Sequence, residues 1–300
     1  MGHCSRFFAW CCEARLRAWA SGVAGARFLR VAGLLALCGL WPDAAVSQSY
    51  EKVSFRSNGA GGANLSGYLF RPQAAAPVPV VITLHGCGGL LTRSGDVQKR
   101  ERDWARRIVA WGYAALFVDS FNPRGFREVC TLGEDQRAIR PRDRAEDVAA
   151  AIAWIRETPT LDARRIALVG WSHGGSATLW SSDRRISFAP TDLRAAVAFY
   201  PGCRPMAASA QWAPRVPLAI LIGGDDDWTR PEPCRALASK HPEIRYIEYP
   251  GAVHGFDTPD LPVRVREGLG LVGKAKIGTH PQARAEAIAE VERLLKAALE

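Results

Sequence analysis

A serine lies at the apex of a strand, a sharp turn and a helix in the middle of the chain. Residues 166–169 read Ile-Ala-Leu-Val, an apolar run that predicts a buried strand. Gly-Trp-Ser-His-Gly follows directly at 170–174, and residues 175–180 have the composition of a helix start. So tight a turn strains the serine backbone, and the small residues two positions before and after it leave the necessary room. The Ser172 hydroxyl is therefore expected to be exposed at the carboxyl end of this strand.

Strand-length apolar runs alternate with helical patterns through most of the chain. Residues 50–55 and 65–70 alternate polar and apolar side chains around a glycine-rich turn, which predicts an antiparallel hairpin. Further strands are predicted at 80–84, 113–118, 195–200, 216–222 and 244–249, and helices at 96–111, 143–157, 231–240 and 281–300. Residues 258–279 are predicted to be irregular. This alternation predicts one α/β domain over residues 48–300, with a parallel sheet whose polar loops meet at one edge.

A nucleophilic serine needs a base, and the later part of the chain offers one. Histidine usually takes the hydroxyl proton, and a carboxylate fixes the histidine tautomer and stabilises its charged form. His254 follows the last predicted strand of the sheet, among glycines, and is the expected base. The acid is expected among the three adjacent aspartates at 225–227. The spacing Gly-x-x-Asp favours Asp226, and Asp227 is the next candidate.

A second glycine-rich turn, His-Gly-Cys-Gly-Gly at 85–89, follows the predicted strand at 80–84. Loops without side chains at the end of a strand bring backbone N–H groups close to a ligand. The amide of Cys87 and the amide of His173, at the start of a helix, are therefore predicted to form an oxyanion hole. The alternative is a glycine-rich turn that binds nothing. His85, His241 and His280 fit the role of base less well than His254.

Four motifs together resemble the dienelactone hydrolase family of α/β-hydrolases. They are His-Gly-Cys-Gly-Gly, Gly-Trp-Ser-His-Gly-Gly, Gly-Gly-Asp-Asp-Asp-Trp-Thr and Tyr-Pro-Gly-Ala-Val-His-Gly-Phe-Asp, and the resemblance covers residues 50–300. It implies a mainly parallel sheet of about eight strands with helices on both faces, no cofactor, and hydrolysis of a small carboxylic ester or lactone. The founding enzymes use a cysteine nucleophile and a nearby glutamate. This chain has Ser172 and no glutamate at 85–92, so dienelactone itself is not the expected substrate.

Three alternatives to an esterase remain open at this point. A peptidase or an acyltransferase can use the same fold and the same three residues. A binding protein of this fold that has lost catalysis is the third, although such proteins usually lack one member of the triad. The expected mechanism is attack by Ser172 on an ester carbonyl and release of the acyl-enzyme by water.

The N-terminal stretch has the pattern of an export signal. Arg27 and Arg30 precede an uncharged run at 31–41, which is too short to span a bilayer as a helix. Small residues at 45–47 suggest cleavage after Ser47. Residues 1–47 are thus predicted to be a leader and signal peptide, and the mature protein to be periplasmic or secreted without a stable membrane anchor. A retained anchor is the alternative.

Charge and cysteine usage agree with an exported enzyme. The chain carries a net charge of +9; the leader holds five arginines and two acids, or +3, which leaves +6 after cleavage. The basic residues are scattered and no nucleic-acid motif accompanies them, so no nucleic-acid partner is expected. Four cysteines remain beyond the leader, and their spacing does not suggest a metal site. Their positions after strand ends predict the pairs Cys87–Cys130 and Cys203–Cys234; four reduced thiols are the alternative.

Overall fold

An eight-stranded sheet forms the centre of the fold. The computed structural model describes residues 49–57, 62–186 and 193–300, so the predicted leader at 1–47 lies outside the described residues. The strands are β1 (Glu51–Arg56), β2 (Asn64–Phe70), β3 (Val78–Leu84), β4 (Ala114–Asp119), β5 (Leu161–Trp171), β6 (Leu193–Phe199), β7 (Leu218–Gly223) and β8 (Arg245–Tyr249). Their order in the sheet is β1-β2-β4-β3-β5-β6-β7-β8. The predicted hairpin of β1 and β2 is antiparallel, β2 is antiparallel to β4, and all other neighbours are parallel.

Helices connect the parallel strands and cover the sheet. They are α1 (Lys99–Ala110), α2 (Arg144–Arg156), α3 (His173–Ser181), α4 (Arg204–Ala208), α5 (Pro231–Lys240) and α6 (Pro281–Leu299). Every residue of β3, β4 and β7 is buried, as expected for parallel strands that are covered on both faces. The apolar runs of the sequence therefore form the core, and the α/β prediction is confirmed. No helix in the described part of the chain is both long and apolar enough to cross a membrane.

The prediction of irregular structure at 258–279 is wrong. Two short antiparallel strands, β9 (Arg264–Leu269) and β10 (Gly273–Ile277), form a separate hairpin there. Most residues of β9 are exposed, and glycines at positive φ interrupt the pattern at 268 and 273. The sequence therefore lacks the apolar run on which strand prediction depends. Leu269, Ala275 and Ile277 are nevertheless buried, and Leu269 and Ala275 join a small apolar cluster with Cys87 and Cys130.

The four cysteines of the described residues form two disulfides, in the predicted pairs. Cys203 and Cys234 join the segments that follow β6 and β7, with Cα atoms 5.0 Å apart. Cys87 and Cys130 join the loop after β3 to the long loop after β4, with Cα atoms 4.9 Å apart. Both bonds therefore lie at the carboxyl edge of the sheet, where they restrain loops that the sheet itself does not hold.

We expect the Cys203–Cys234 bond to contribute strongly to stability. It closes a loop of 31 residues, for which the chain-entropy model gives roughly 3–4 kcal/mol. The double variant Cys203→Ala/Cys234→Ala should lower the free energy of unfolding by that amount in equilibrium denaturation. The single variant Cys203→Ala should lose as much, since it breaks the same bond. A double variant as stable as the parent protein would contradict this expectation.

Candidate active site

The turn between β5 and α3 holds Ser172 in an unusual backbone conformation. Its φ is 55° and its ψ is −114°, and its amide donates to the carbonyl oxygen of Phe199 over 2.9 Å. The two glycines that flank it, Gly170 and Gly174, lie where no side chain fits. A Cβ at Gly170 would lie 2.2 Å from the oxygen of Gly174, and a Cβ at Gly174 would lie 2.1 Å from the oxygen of Leu84. The sequence motif thus has a steric cause, since helix α3 passes directly against the backbone of β3 and β5.

Three side chains from three loops form a continuous hydrogen-bonded chain. The Nε2 atom of His254 lies 3.0 Å from the Oγ atom of Ser172, and its Nδ1 atom lies 2.8 Å from Oδ2 of Asp226. The other oxygen of Asp226 accepts the amides of Trp228 and Thr229 at 2.9 and 2.8 Å. All three members of the chain are buried. This geometry allows His254 to accept the serine proton while Asp226 holds the imidazole in place.

The two neighbouring aspartates point elsewhere. Asp225 and Asp227 are both exposed, and Oδ1 of Asp227 accepts the amide of Lys276 on β10 at 2.8 Å. Asp226, in contrast, is 2% exposed. Of the three adjacent acids, only Asp226 contacts His254, which is the residue that the Gly-x-x-Asp spacing favoured.

A buried carboxylate that the sequence analysis did not single out connects the histidine loop to the serine turn. Oδ2 of Asp257 accepts the indole N–H groups of Trp104 and Trp171 at 2.7 and 2.8 Å. Oδ1 accepts the hydroxyl of Tyr200 at 2.6 Å, and burial together with Asp257 raises the pKa of Tyr200 well above its usual value. The Tyr200 ring packs on the imidazole of His254, with centroids 4.5 Å apart. Asp257 thus binds both Trp171, which precedes the serine, and Tyr200, which packs on the histidine.

The loop after β3 lies directly against the serine. A Cβ at Gly86 would be 3.6 Å from Cβ of Ser172, an ordinary van der Waals contact, so the loop and the serine are close neighbours. Cys87 and His173 line the same cavity as Ser172. The carbonyl oxygen of Cys87 accepts the amide of Val129 at 2.8 Å, which adds a second tie beside the disulfide. The two predicted oxyanion donors are thus brought to the serine.

The remaining histidines have structural contacts. His85 accepts the amide of Ser120 at Nε2, and its Nδ1–H donates to the oxygen of Gly86. Burial is the main cause that lowers the pKa of His85 well below its usual value, so the ring is neutral. His241 lies 3.4 Å from Glu243, and Nδ1 of His280 accepts an amide at the start of α6. No group of His, Cys, Asp and Glu side chains suited to a metal ion occurs within residues 49–57, 62–186 and 193–300.

A cavity of about 430 Å³ opens over the serine. One wall is apolar and includes Trp180, Pro205, Trp228 and Leu271. The loop before α2 also lines the cavity and contributes three arginines and two acids, Arg137, Arg140, Arg142, Glu134 and Asp143. None of the three arginines forms an ion pair within the described ranges. The cavity therefore combines the Ser172 hydroxyl, an apolar surface, and side chains of both charges with the positive ones in excess.

Comparison with known proteins agrees with this geometry. The family model "Dienelactone hydrolase family" matches residues 65–299. A protein of Bradyrhizobium sp. named "Probable 2-oxo-3-(5-oxofuran-2-ylidene)propanoate lactonase" is 23% identical over 216 residues, covering 66% of this chain and 81% of that protein. "Quorum-quenching protein AidA" of Acinetobacter baumannii is 34% identical over 134 residues, covering 45% of this chain. That match spans only 40% of the length of the quorum-quenching protein.

A solved structure gives the same fold. The crystal structure of a thermophilic esterase from Thermogutta terrifontis superposes with a TM-score of 0.57 at 16% identity, covering 84% of this chain and 93% of the esterase. The family match extends over more than two thirds of the sequence and includes all four motifs. The chain belongs to the dienelactone hydrolase family and is a carboxylic ester hydrolase of the α/β-hydrolase fold.

Proposed function

We propose that this protein is a serine hydrolase that cleaves a carboxylic ester or lactone through an acyl-enzyme. The observation that carries the proposal is the chain of contacts from Ser172 to His254 at 3.0 Å and on to Asp226 at 2.8 Å. A serine hydroxyl alone is a weak nucleophile, and this arrangement supplies the base and the carboxylate that it needs. The strained turn exposes the hydroxyl to the cavity, where a substrate carbonyl has access.

The proposed reaction has two similar halves. Ser172 Oγ attacks the carbonyl carbon while its proton moves to Nε2 of His254, and the carbonyl oxygen becomes an oxyanion. The backbone N–H groups of Cys87 and His173 stabilise that oxyanion. When the tetrahedral intermediate collapses, His254 protonates the leaving alkoxide. Water then repeats the attack on the acyl-enzyme with His254 as base, and Ser172 is released with its proton.

The cavity favours a substrate that carries a negative charge. The three arginines of its wall form no ion pair within the described residues, although the charges of Glu134 and Glu128 act on Arg137 at longer range, and we propose that they bind a substrate carboxylate. The Bradyrhizobium relative is named for a lactone that is itself a propanoate, which is an anion. A quorum-sensing signal is the second candidate, since the quorum-quenching relative matches 45% of the chain and the apolar wall could hold an acyl chain.

We also propose that residues 1–47 direct export and that the enzyme acts in the periplasm or outside the cell. The two disulfides support this location, because such bonds persist in oxidising compartments. Substrate tests distinguish this esterase from a peptidase or an acyltransferase that uses the same three residues. The leaving group and the acceptor decide between these classes.

Replacing Ser172 should abolish hydrolysis without unfolding the protein. Loss of a triad nucleophile costs on the order of 10⁴–10⁶ in kcat, so Ser172→Ala should show no turnover of p-nitrophenyl esters and no labelling by a fluorophosphonate. Ser239→Ala is the control and should keep the parent activity, since this serine is exposed on α5. Retention of more than a tenth of the parent activity by Ser172→Ala would disprove the assignment.

The three adjacent aspartates should differ sharply in their effect on turnover. Asp226→Asn should lower kcat by about 10⁴, because the amide favours the wrong histidine tautomer. Asp225→Asn and Asp227→Asn should stay within about three-fold of the parent, since neither carboxylate contacts the imidazole. Steady-state kinetics on one ester decides the matter. An equal loss at all three positions, or a larger loss at Asp227, would overturn the choice of Asp226.

The arginines of the cavity wall should set a preference for charged substrates. Arg137→Gln and Arg140→Gln should each raise KM for a p-nitrophenyl monoester of succinate by about ten-fold, the value of one charge-assisted hydrogen bond. The KM for p-nitrophenyl butyrate, a neutral ester of equal length, should change little. Arg293→Gln, on exposed α6, is the control. Equal effects on both esters would contradict the preference for charged substrates. If the parent enzyme turned over a neutral N-acyl homoserine lactone faster than the succinate monoester, the signal molecule would be favoured instead.

A further inference from the structure

A buried arginine that the proposed reaction does not use lies between the two loops at the serine. Arg144 is the first residue of α2 and has no exposed surface. A fully buried arginine usually has a carboxylate partner, because an unpaired charge is costly in the protein interior. Within the described residues Arg144 forms no ion pair, and its Nη2 atom has no hydrogen-bond partner.

The nearest acids are already occupied by other groups. Both oxygens of Asp147 bind the guanidinium of Arg124, at 2.7 and 3.0 Å. Asp119 accepts two backbone amides and the side-chain amide of Asn122. Burial lowers the pKa of Arg144 to about 10. The charges of Asp147 and Asp119 raise this pKa without a hydrogen bond to Arg144, and the charge of Arg124 lowers it. Arg144 therefore remains charged at neutral pH and lacks a direct counter-ion.

The hydrogen bonds of Arg144 connect both sides of the predicted oxyanion hole. Its Nη1 atom donates to the carbonyl oxygen of His85 at 2.8 Å and lies 3.1 Å from Nδ1 of His173. Because a guanidinium can only donate, Nδ1 of His173 is the acceptor. Its Nε atom donates to Ser120 at 3.0 Å. His85 begins the loop that carries Cys87, and His173 is itself the second donor residue.

We infer that Arg144 is a positioning residue for the oxyanion hole, which fixes the Cys87 loop against His173 and keeps a positive charge next to the two segments that carry the predicted donors. The inference rests on the proposed serine mechanism. In the resting enzyme the charge is uncompensated, whereas in the transition state a negative oxygen forms beside the two loops that Arg144 holds. An interaction that becomes favourable only in the transition state raises kcat and leaves substrate affinity unchanged.

A further contact of Arg144 supports a fixed position. Its guanidinium packs over the ring of Phe121, with 5.2 Å to the centroid, and the same ring contacts both His85 and His173 edge to face. Burial, followed by the charge of Arg144, lowers the pKa of His173 well below its usual value. This shift favours the neutral imidazole, whose Nδ1 accepts from Arg144.

The test compares Arg144→Met, Arg144→Lys and the control Arg235→Met with the parent enzyme. Each is assayed for kcat and KM on one ester and for inhibition by a trifluoromethyl ketone, which Ser172 converts into a hemiketal oxyanion. Removing one oxyanion-stabilising group costs about 10²–10³ in kcat, so Arg144→Met should lose that much while KM stays within about three-fold. The inhibition constant of the ketone should weaken by the same factor as kcat. Arg144→Lys should recover part of both losses, and Arg235→Met, which removes an exposed arginine of α5 that pairs with Glu248, should change little.

Unchanged kcat and ketone affinity in Arg144→Met would overturn the inference, and so would a rise in KM alone. If Arg144→Met does not fold, as judged by near-ultraviolet circular dichroism, Arg144→Lys decides. Lysine keeps the charge but cannot hold both loops with one planar group, so a parallel loss in kcat and ketone affinity of about ten-fold is expected. Failure of the serine mechanism itself looks different, since the parent enzyme would then not bind the ketone and Ser172→Ala would remain active.

Discussion

The backbone of Ser172 adopts a conformation that an L-residue keeps only under constraint, and the centre of the sheet supplies that constraint. Such a residue costs of order 1–3 kcal/mol, and φ is 55° here. Strand β5 is paired on both sides, with β3 and β6, along most of its length. The amide of Ser172 is held by Phe199 on β6, and Gly174 packs on Leu84 of β3. The neighbouring strands thus fix the turn from both sides.

A second set of contacts, made by side chains and not by strand pairing, positions His254 beside Ser172. Asp257 binds two indoles and one phenol, from α1, from β5 and from the segment after β6. The phenol of Tyr200 in turn supports the face of the His254 ring. The same carboxylate therefore lies behind both the residue that precedes Ser172 and the ring that packs on His254. The distance between Ser172 and His254 is therefore fixed, because Trp171 and Tyr200, which position these two residues, both bind Asp257.

The sequence predicts the parts of the molecule that depend on local pattern. Apolar runs give the strands, and the spacing of Gly-x-Ser-x-Gly and Gly-x-x-Asp points to Ser172 and Asp226, which the structure brings to His254. The hairpin β9–β10 was missed because its strands are exposed and interrupted by glycine. Arg144 and the contacts of Asp257 were missed for another reason. Their partners are 24 to 153 residues away in sequence, so no local spacing reveals them.

The bond between Cys87 and Cys130 has a consequence for when the enzyme becomes active. Cys87 belongs both to this bond and to the loop that faces the serine. Oxidation therefore attaches that loop covalently to the long loop after β4. A newly made chain in a reducing compartment lacks this bond, and non-covalent contacts such as the hydrogen bonds from Val129, Gln98 and Arg144 then hold the loop. Under the proposed export, this bond would form only after the chain has left the cytoplasm, and the loop beside the serine would be fixed last. Such an order would spare the esters of the cell that makes the enzyme.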